Sequence, residues 1–394
     1  MKNIKSKVLC SVAAIGLAAL NVNAGELSEP SVFTSNKNSK ILDILMVAKP
    51  APIEALPNVT GWVYEICERK YSVGNACLPK KTNTNPYGGA RLQLNPGDTL
   101  KVHLVNKLPP IPESTHKDEP GEAFLIHNPT NLHTHGLLVS PSTPLPTDKK
   151  PKYGDNIFVL TFNSENGQPD THTSFHMHGD VQTDSTDYQI VIPEHHPSGL
   201  YWFHPHAHGI ALNQISAGMS GIITIGDVSD YMPRLPAGIK TRHLILKDTQ
   251  VNVDSTLKTQ QDPGFCDGAI VTEPGVCGID GVGKWYFTVN GQLNPTINVK
   301  SEGEIWRITN SSGSVTYDLE LAKQFKDHDA PVALQLLSVD GVSVTPVDST
   351  KNELKEIGGA KFEPVPCAGT DANSPKAVCI SKLTMMPSSQ SILF

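Results

Sequence analysis

The segment 201–226 carries histidines at three alternating positions, and this spacing favours an extended backbone around them. It reads YWFHPHAHGIALNQISAGMSGIITIG, with His204, His206 and His208 in its first half. Side chains two residues apart point to the same side of an extended chain, so His204 and His206 can present two imidazoles together. Imidazole is the commonest metal-ligating side chain and suits copper and zinc. Taken alone, the segment also fits a histidine-rich loop that binds no metal.

A second histidine pair with the same spacing lies upstream, within the sequence NLHTHGL. His133 and His135 stand on an apolar stretch that Gly136 closes. We predict an extended backbone here too, with both imidazoles on one side. If the two pairs meet in the folded protein, four imidazoles converge on one site.

The two motifs, NLHTHGL and GLYWFHPHAHG followed by Q and GMSG, resemble the first two copper-binding motifs of the multicopper oxidases. In that family the first motif gives one histidine to the type 2 copper and one to the type 3 pair, and the second gives two histidines to the type 3 pair. The resemblance therefore implies His133 at type 2 copper, and His135, His204 and His206 at type 3. It extends from about residue 85 to the C-terminus. It implies an oxidoreductase that couples one-electron oxidation of a reducing substrate to the reduction of O2.

An acidic residue near the type 2 copper helps to deliver protons in that family, and the resemblance makes Asp155 the candidate here. The alternative is a turn aspartate that precedes a strand predicted at Ile157–Phe162.

A third histidine group, formed by His172, His176 and His178, also has metal-like spacing. The family carries no copper ligands in this region, and the flanking residues are polar. We predict an exposed insertion, with a surface metal site as the alternative.

Composition and periodicity favour an all-β fold. Glycine and proline number 31 each, and 18% of the residues are charged. Apolar residues alternate on both sides of a turn at 95–98, which predicts a hairpin. The turn's Gly97-Asp98 recurs downstream as Gly303-Glu304, which indicates a repeat at the scale of a domain.

With the resemblance, these patterns predict two cupredoxin-like Greek-key β-sandwich domains in tandem. The first spans residues 25–230 and the second 231–394. We expect the polar start of the first domain, Gly25–Asp43, to be a loose arm.

The N-terminus has the pattern of a secretory signal. A basic start is followed by an apolar run over 8–20 and small residues at 22–24. We predict removal of residues 1–24 and a periplasmic or secreted protein. The formal net charge of −7 gives no indication of a nucleic-acid partner, and we expect no membrane association.

Six of the seven cysteines lie outside the predicted signal, in three close pairs. Six cysteines allow fifteen connectivities, and we predict that each bonds with its near neighbour. Zinc–thiolate sites use about two to four intervening residues, which none of the pairs has. The predicted bridges are Cys67–Cys77, Cys266–Cys277 and Cys367–Cys379.

Two further family motifs, His-x-x-His-x-His and His-Cys-His-x-x-x-His, have no match in this sequence. None of the seven cysteines has a histidine beside it, and only His243 and His328 follow His208. We therefore predict that the third domain, which carries type 1 copper, is absent and that the chain holds a half-site for type 2 and type 3 copper. A third cupredoxin domain supplied in trans is one expectation. The alternatives are a non-catalytic periplasmic copper-binding or scaffold protein, and a mononuclear four-histidine site for zinc or copper.

Overall fold

A computed structural model describes residues 25–111, 123–167, 180–228, 238–266, 270–273, 275–279, 282–299, 303–324, 329–344, 356–357, 360–365 and 378–393. Three of the predicted features therefore lie outside the described residues. These are the signal segment 1–24, the histidine group of His172, His176 and His178, and the domain boundary between residues 230 and 231.

Strands dominate the described residues. The first half contains β1 (Ser31–Thr34), β2 (Ile41–Pro52), β3 (Thr60–Glu68), β4 (Ser72–Val73), β5 (Ala76–Cys77), β6 (Ala90–Leu94), β7 (Thr99–Asn106), β8 (His133–His135), β9 (Leu160–Phe162), β10 (Val181–Thr183), β11 (Ser185–Val191), β12 (Gly199–His204) and β13 (Gly221–Ile225).

The second half contains β14 (Lys240–Val251), β15 (Ile270–Glu273), β16 (Val276–Ile279), β17 (Gly283–Val289), β18 (Glu304–Asn310), β19 (Tyr317–Glu320), β20 (Ala322–Gln324), β21 (Asp329–Pro331), β22 (Leu334–Val339), β23 (Val342–Ser343), β24 (Glu356–Ile357), β25 (Ala360–Val365), β26 (Val378–Met385) and β27 (Gln390–Leu393). The helices of the described residues are α1 (Ala211–Ser216) and the 3-10 turns Arg69–Tyr71, Ala123–His127 and Ser164–Asn166. None of these helices is long and apolar enough to cross a membrane.

The two larger sheets of the first half are mixed and enclose its core, and the pairs β9–β10 and β4–β5 form small separate sheets. One of the larger sheets has the order β1-β6-β13-β12-β8 and the other the order β11-β7-β2-β3. Alternating side chains point inward from both, such as Leu92 and Leu94 from β6 and Leu100 and Val102 from β7. This burial of every second residue is the alternation that the sequence predicted.

The predicted hairpin between β6 and β7 is wrong, because the two strands belong to different sheets. β6 pairs in parallel with β1 and β13, whereas β7 pairs with β2 and β11. The turn between them crosses the sandwich, and Asp98 stabilises it. The Asp98 carboxylate accepts hydrogen bonds from the backbone N–H of Asn95 at 2.7 Å and the hydroxyl of Ser35 at 2.5 Å.

In the described residues, most strands of the second half form one extended sheet, while β20 and β21 pair separately. The arrangement of the large sheet repeats a feature of the first half. β14 and β18 pair in parallel, as β2 and β7 do. In both halves, the second strand of the parallel pair is the one that follows the Gly-Asp or Gly-Glu dipeptide. The repeat seen in the sequence therefore corresponds to a repeated strand pairing.

The prediction of a loose N-terminal arm is also wrong. The backbone N–H of Leu27 donates to the carbonyl oxygen of Thr296 at 2.8 Å, and the Leu27 side chain is buried in the core of the second half. The polar residues that suggested disorder instead form a turn, in which the Asn36 side chain accepts hydrogen bonds from the backbone of Asn38 and Ser39. The arm thus joins the two halves.

The cysteines follow the prediction in part. Cys67 and Cys77 form a disulfide bond, as predicted. Cys379 is disulfide-bonded, and its predicted partner Cys367 lies outside the described residues. The structure records Cys266 and Cys277 as thiols, which contradicts the second predicted bridge. The Cys266 sulfur lies within hydrogen-bond distance of the Gln250 side-chain amide, at 3.5 Å, and of the Ser314 hydroxyl, at 3.1 Å.

A buried lysine connects the two halves. The ammonium group of Lys247, on β14, donates to the carbonyl oxygens of Tyr87, Gly218 and Ser220 at 2.7, 2.9 and 3.1 Å. All three acceptors belong to the first half. An ammonium group has three donors, so these carbonyls match its hydrogen-bonding capacity.

We expect Lys247→Met to lower the free energy of unfolding by about 1–3 kcal/mol, because buried carbonyl oxygens lose their donor.

Burial also lowers the pKa of Lys247 to about 7. Between that pH and about 10.4, the pKa of an exposed lysine, the unfolded chain binds a proton that the folded chain does not. Wild-type stability should therefore rise with pH across this window. Denaturant unfolding at pH 7 and pH 9 tests this, and an equal rise in Lys247→Met would contradict it.

Candidate metal centre

The register of two neighbouring strands brings the two histidine motifs together. β8 and β12 pair antiparallel, with His133 opposite His204 and His135 opposite Trp202. Directly paired residues share a face of the sheet, and so do residues two apart on one strand. His133, His135 and His204 therefore project from the same face at the end of the five-stranded sheet.

These three imidazoles form a compact group. One ring nitrogen from each of His133, His135 and His204 lies within 4.8 Å of the corresponding nitrogens of the other two. His204 Nε2 lies 3.4 Å from His135 Nδ1. Such a group offers nitrogen donors from three directions.

The fourth predicted ligand, His206, borders this group. Its ring centroid lies 5.2 Å from that of His133 and 5.9 Å from that of His204. β12 ends at His204, so His206 stands just beyond the sheet and is exposed. The structure therefore brings all four predicted histidines together, three closely and one at the solvent side.

Hydrogen bonds orient two of the rings. His204 Nδ1 lies 2.8 Å from the carbonyl oxygen of Pro205. A carbonyl only accepts, so Nδ1 carries the proton and Nε2 keeps a lone pair that points toward His135. His133 Nδ1 lies 3.1 Å from a carboxylate oxygen of Asp155. By the same argument, Nδ1 of His133 carries the proton and its Nε2 keeps the lone pair that can bind a metal ion.

The environment keeps several of these imidazoles neutral. Burial, together with the neighbouring His133 and His206, lowers the pKa of His135 to about 4. Burial also lowers the pKa of His204, and partial desolvation of the ring lowers the pKa of His206. A neutral imidazole is the form that binds a metal ion, so the uncharged state is already favoured at neutral pH.

Asp155 stands directly behind the first motif. Its carboxylate accepts a hydrogen bond from the backbone N–H of Thr134 at 2.8 Å, as well as contacting His133. Metal-binding histidines commonly donate their second ring N–H to a carboxylate, which fixes the ring and raises its basicity. The position of Asp155 fits this supporting arrangement.

Trp202 supports the site from the side of the sheet. Its indole stacks on the His204 ring, with centroids 4.1 Å apart and planes inclined by 26°. Trp202 is fully buried. The sequence indicated a β-forming residue here but not its contact with a histidine, since that contact depends on side-chain packing.

A cleft adjoins the centre on the side of the second half. It has a volume of about 230 Å³ and is lined by His135, Gly136, Asp340 and the segment 387–390. The sequence motifs gave no indication of this neighbourhood, because Asp340 and 387–390 are distant from both motifs along the chain.

The donor set fits a late first-row metal ion. Neutral imidazole nitrogens suit copper and zinc, whereas calcium and magnesium prefer oxygen. His133, His135 and His204 supply the nitrogens, and Asp155 contacts His133 rather than the middle of the group.

Comparison with known proteins identifies relatives among the laccases. No protein-family model matches the sequence. A laccase from Bacillus stratosphericus is 26% identical over 323 residues, which cover 78% of this chain and 56% of the laccase. A laccase from Bacillus subtilis (strain 168) is 25% identical over 228 residues, covering 51% of this chain and 41% of the laccase. The chain spans about half the length of the curated relatives it matches.

The McoA multicopper oxidase from Aquifex aeolicus has the same fold. It superimposes with a TM-score of 0.53 at 16% identity, covering 95% of this chain and 57% of McoA. This chain is similar to laccases in sequence and to a multicopper oxidase in fold. The resemblance seen in the two motifs is confirmed by the sequence similarity to laccases, and the all-β cupredoxin-like fold is confirmed by the superposition on McoA.

We expect Asp155→Asn to weaken copper binding by about 10- to 100-fold, the usual effect of losing a partner of a metal-binding histidine. The amide keeps an oxygen for Thr134 N–H but lacks the negative charge that faces His133. Competition with a chromophoric copper chelator measures the affinity. Asp187→Asn is the matched control. The Asp187 carboxylate lies 2.7 Å from Nδ1 of His103, a histidine outside the metal centre. An equal loss in both variants would contradict the assignment.

Proposed function

We propose that this chain supplies half of the trinuclear copper site of a multicopper-oxidase-type oxidoreductase. The convergence of His133, His135 and His204, with His206 at their border, is the observation that carries this proposal. Copper bound at such a site supplies one-electron redox chemistry and the place where O2 is reduced. The laccase relatives and the motif spacing support copper over zinc.

Each histidine has a proposed place in the site. His133 binds the type 2 copper, while His135, His204 and His206 bind the type 3 pair. These roles follow the positions of the two family motifs. Asp155 accepts the Nδ1 proton of His133, so that Nε2 of that ring would be the nitrogen available to hold copper. Burial around His204 excludes water from the sheet side of the site.

We also propose that the chain as given lacks the type 1 copper domain. A blue copper centre needs a cysteine thiolate with two histidines, and none of the seven cysteines has a histidine next to it in the sequence. The remaining trinuclear ligands and the electron entry site would come from polypeptide outside this sequence, for example a third cupredoxin domain in trans. The reducing substrate would bind near that entry site.

The proposed location is the periplasm or the exterior of the cell. The signal-like pattern over residues 1–24 supports it. The Cys67–Cys77 disulfide bond supports it too, because such bonds persist mainly in oxidising compartments.

A non-catalytic copper-binding or scaffold protein is the second candidate. Its support is that the sequence matches only two of the four copper motifs of the family. A copper-binding protein needs no electron entry site, so the present histidines would suffice for it. The two candidates differ in oxidase activity and not in copper binding.

Copper binding tests the site that both candidates share. We expect the double variant His204→Ala/His206→Ala to lose most of the bound copper. It lacks His204, which belongs to the group of three histidines, and His206, which borders that group. The control is His176→Ala/His178→Ala, a pair with the same sequence spacing that is not among the proposed ligands. Copper content measured after dialysis distinguishes them. Full copper in the first variant and none in the second would show that we have assigned the wrong histidines.

Oxidase activity separates the two candidates. The copper-loaded chain alone should show no intense blue absorption of a copper–thiolate centre, and no phenol oxidation above that of free copper. Adding a third cupredoxin domain from a related oxidase should restore both if the chain is half of an oxidase. No restoration despite complex formation would favour the copper-binding protein. Sustained turnover by the chain alone, abolished by His204→Ala, would contradict the proposed need for a separate entry site.

A further inference from the structure

A buried amide two positions before His133 joins three segments of the metal centre. Asn131 Oδ1 accepts a hydrogen bond from the backbone N–H of His206 at 2.6 Å, and Nδ2 donates to the carbonyl oxygen of Ile157 at 2.7 Å. The backbone carbonyl of Asn131 accepts from the hydroxyl of Tyr64 at 3.1 Å. Asn131 itself is completely buried. One side chain therefore links the first motif, the second motif and the loop after Asp155.

This link matters most for His206, which the sheet does not place. Pairing between β8 and β12 ends at His133 and His204. Pro205 follows and has no N–H with which to extend the ladder. The hydrogen bond from the His206 backbone to Asn131 is then the contact that fixes this residue against the first motif.

Gln214 makes a second link of the same kind from helix α1. Its Oε1 accepts from the hydroxyl of Thr130 at 3.1 Å, while Nε2 donates to Asn128 Oδ1 and to the carbonyl oxygen of Pro129, both at 2.9 Å. Gln214 is also fully buried. It ties the segment after the second motif to the residues just before Asn131.

We propose that Asn131 and Gln214 form an amide clamp, a pair of positioning residues that hold the two histidine motifs in register before a metal ion binds. The expected effect of the clamp on copper binding rests on the proposed function. The clamp itself is a property of the metal-free protein. Each amide uses both its donor and its acceptor, so the orientation of each group is determined by its partners. A carboxylate of the same shape cannot replace either one, since it has no N–H to donate.

Asn131→Asp and Gln214→Glu test the clamp in the full chain. In each variant a carboxylate oxygen faces a carbonyl oxygen that formerly accepted a hydrogen bond. Asn83→Asp is the matched control, because Asn83 is a buried asparagine of the same half that accepts from Ile66 N–H and donates to the Tyr64 carbonyl. Cu(II) is the probe, with affinity measured by chelator competition and geometry by electron paramagnetic resonance.

We expect copper affinity to fall by about 10- to 100-fold in Asn131→Asp and Gln214→Glu, with a changed Cu(II) spectrum. Asn83→Asp should keep the wild-type affinity and spectrum at a comparable loss of thermal stability. Unchanged affinity in Asn131→Asp and Gln214→Glu, or an equal loss in Asn83→Asp, would overturn the positioning role.

A metal-free measurement on the wild type tests the clamp even if the variants fail to fold. With histidine labelled by ¹⁵N, the backbone amide of His206 should exchange slowly with solvent, although this residue is exposed and lies outside a strand. Exchange at the rate of an unprotected amide would overturn the clamp. Failure of the wild type to bind copper would instead overturn the proposed function and leave the exchange result to decide the clamp.

Discussion

The antiparallel pairing of β8 with β12 is the contact on which the metal centre depends. It sets His133 opposite His204 and places His135 beside Trp202. Because side chains alternate between the faces of a strand, a slip of one residue would turn the histidines of one strand to the opposite face. The packing of Phe203 and Tyr201 into the core opposes such a slip, since they occupy the positions between the site residues. The core of the domain thus stabilises the register of the site.

Burial and hydrogen bonding make this cluster suitable for a metal rather than merely rich in histidine. Water is removed from His204 by the stacked indole of Trp202 and by the sheet, which favours the uncharged ring. Backbone and carboxylate acceptors occupy one nitrogen of His204 and His133, and this leaves the other nitrogen of each ring available. The surroundings therefore select both the protonation state and the orientation that a metal ion needs.

The two halves meet through polar as well as apolar contacts. Lys247 donates to carbonyl oxygens across the boundary, and the arm around Leu27 extends the contact. A cleft between the halves opens beside His135. The second half therefore forms part of the surroundings of the centre, although the histidines themselves come from the first half.

The ligand candidates and the all-β class could be predicted from local sequence patterns. The two-residue spacing of His133 and His135, and of His204 and His206, needs only local backbone geometry to be interpreted. Local patterns could not show which strands pair, so the hairpin at 95–98 was wrong and the arm proved to be ordered. The pairing of β8 with β12 and the hydrogen bond between Asn131 and His206 became apparent only in the folded chain. Such contacts join residues far apart in the chain, and their energy depends on packing and burial that no local pattern contains.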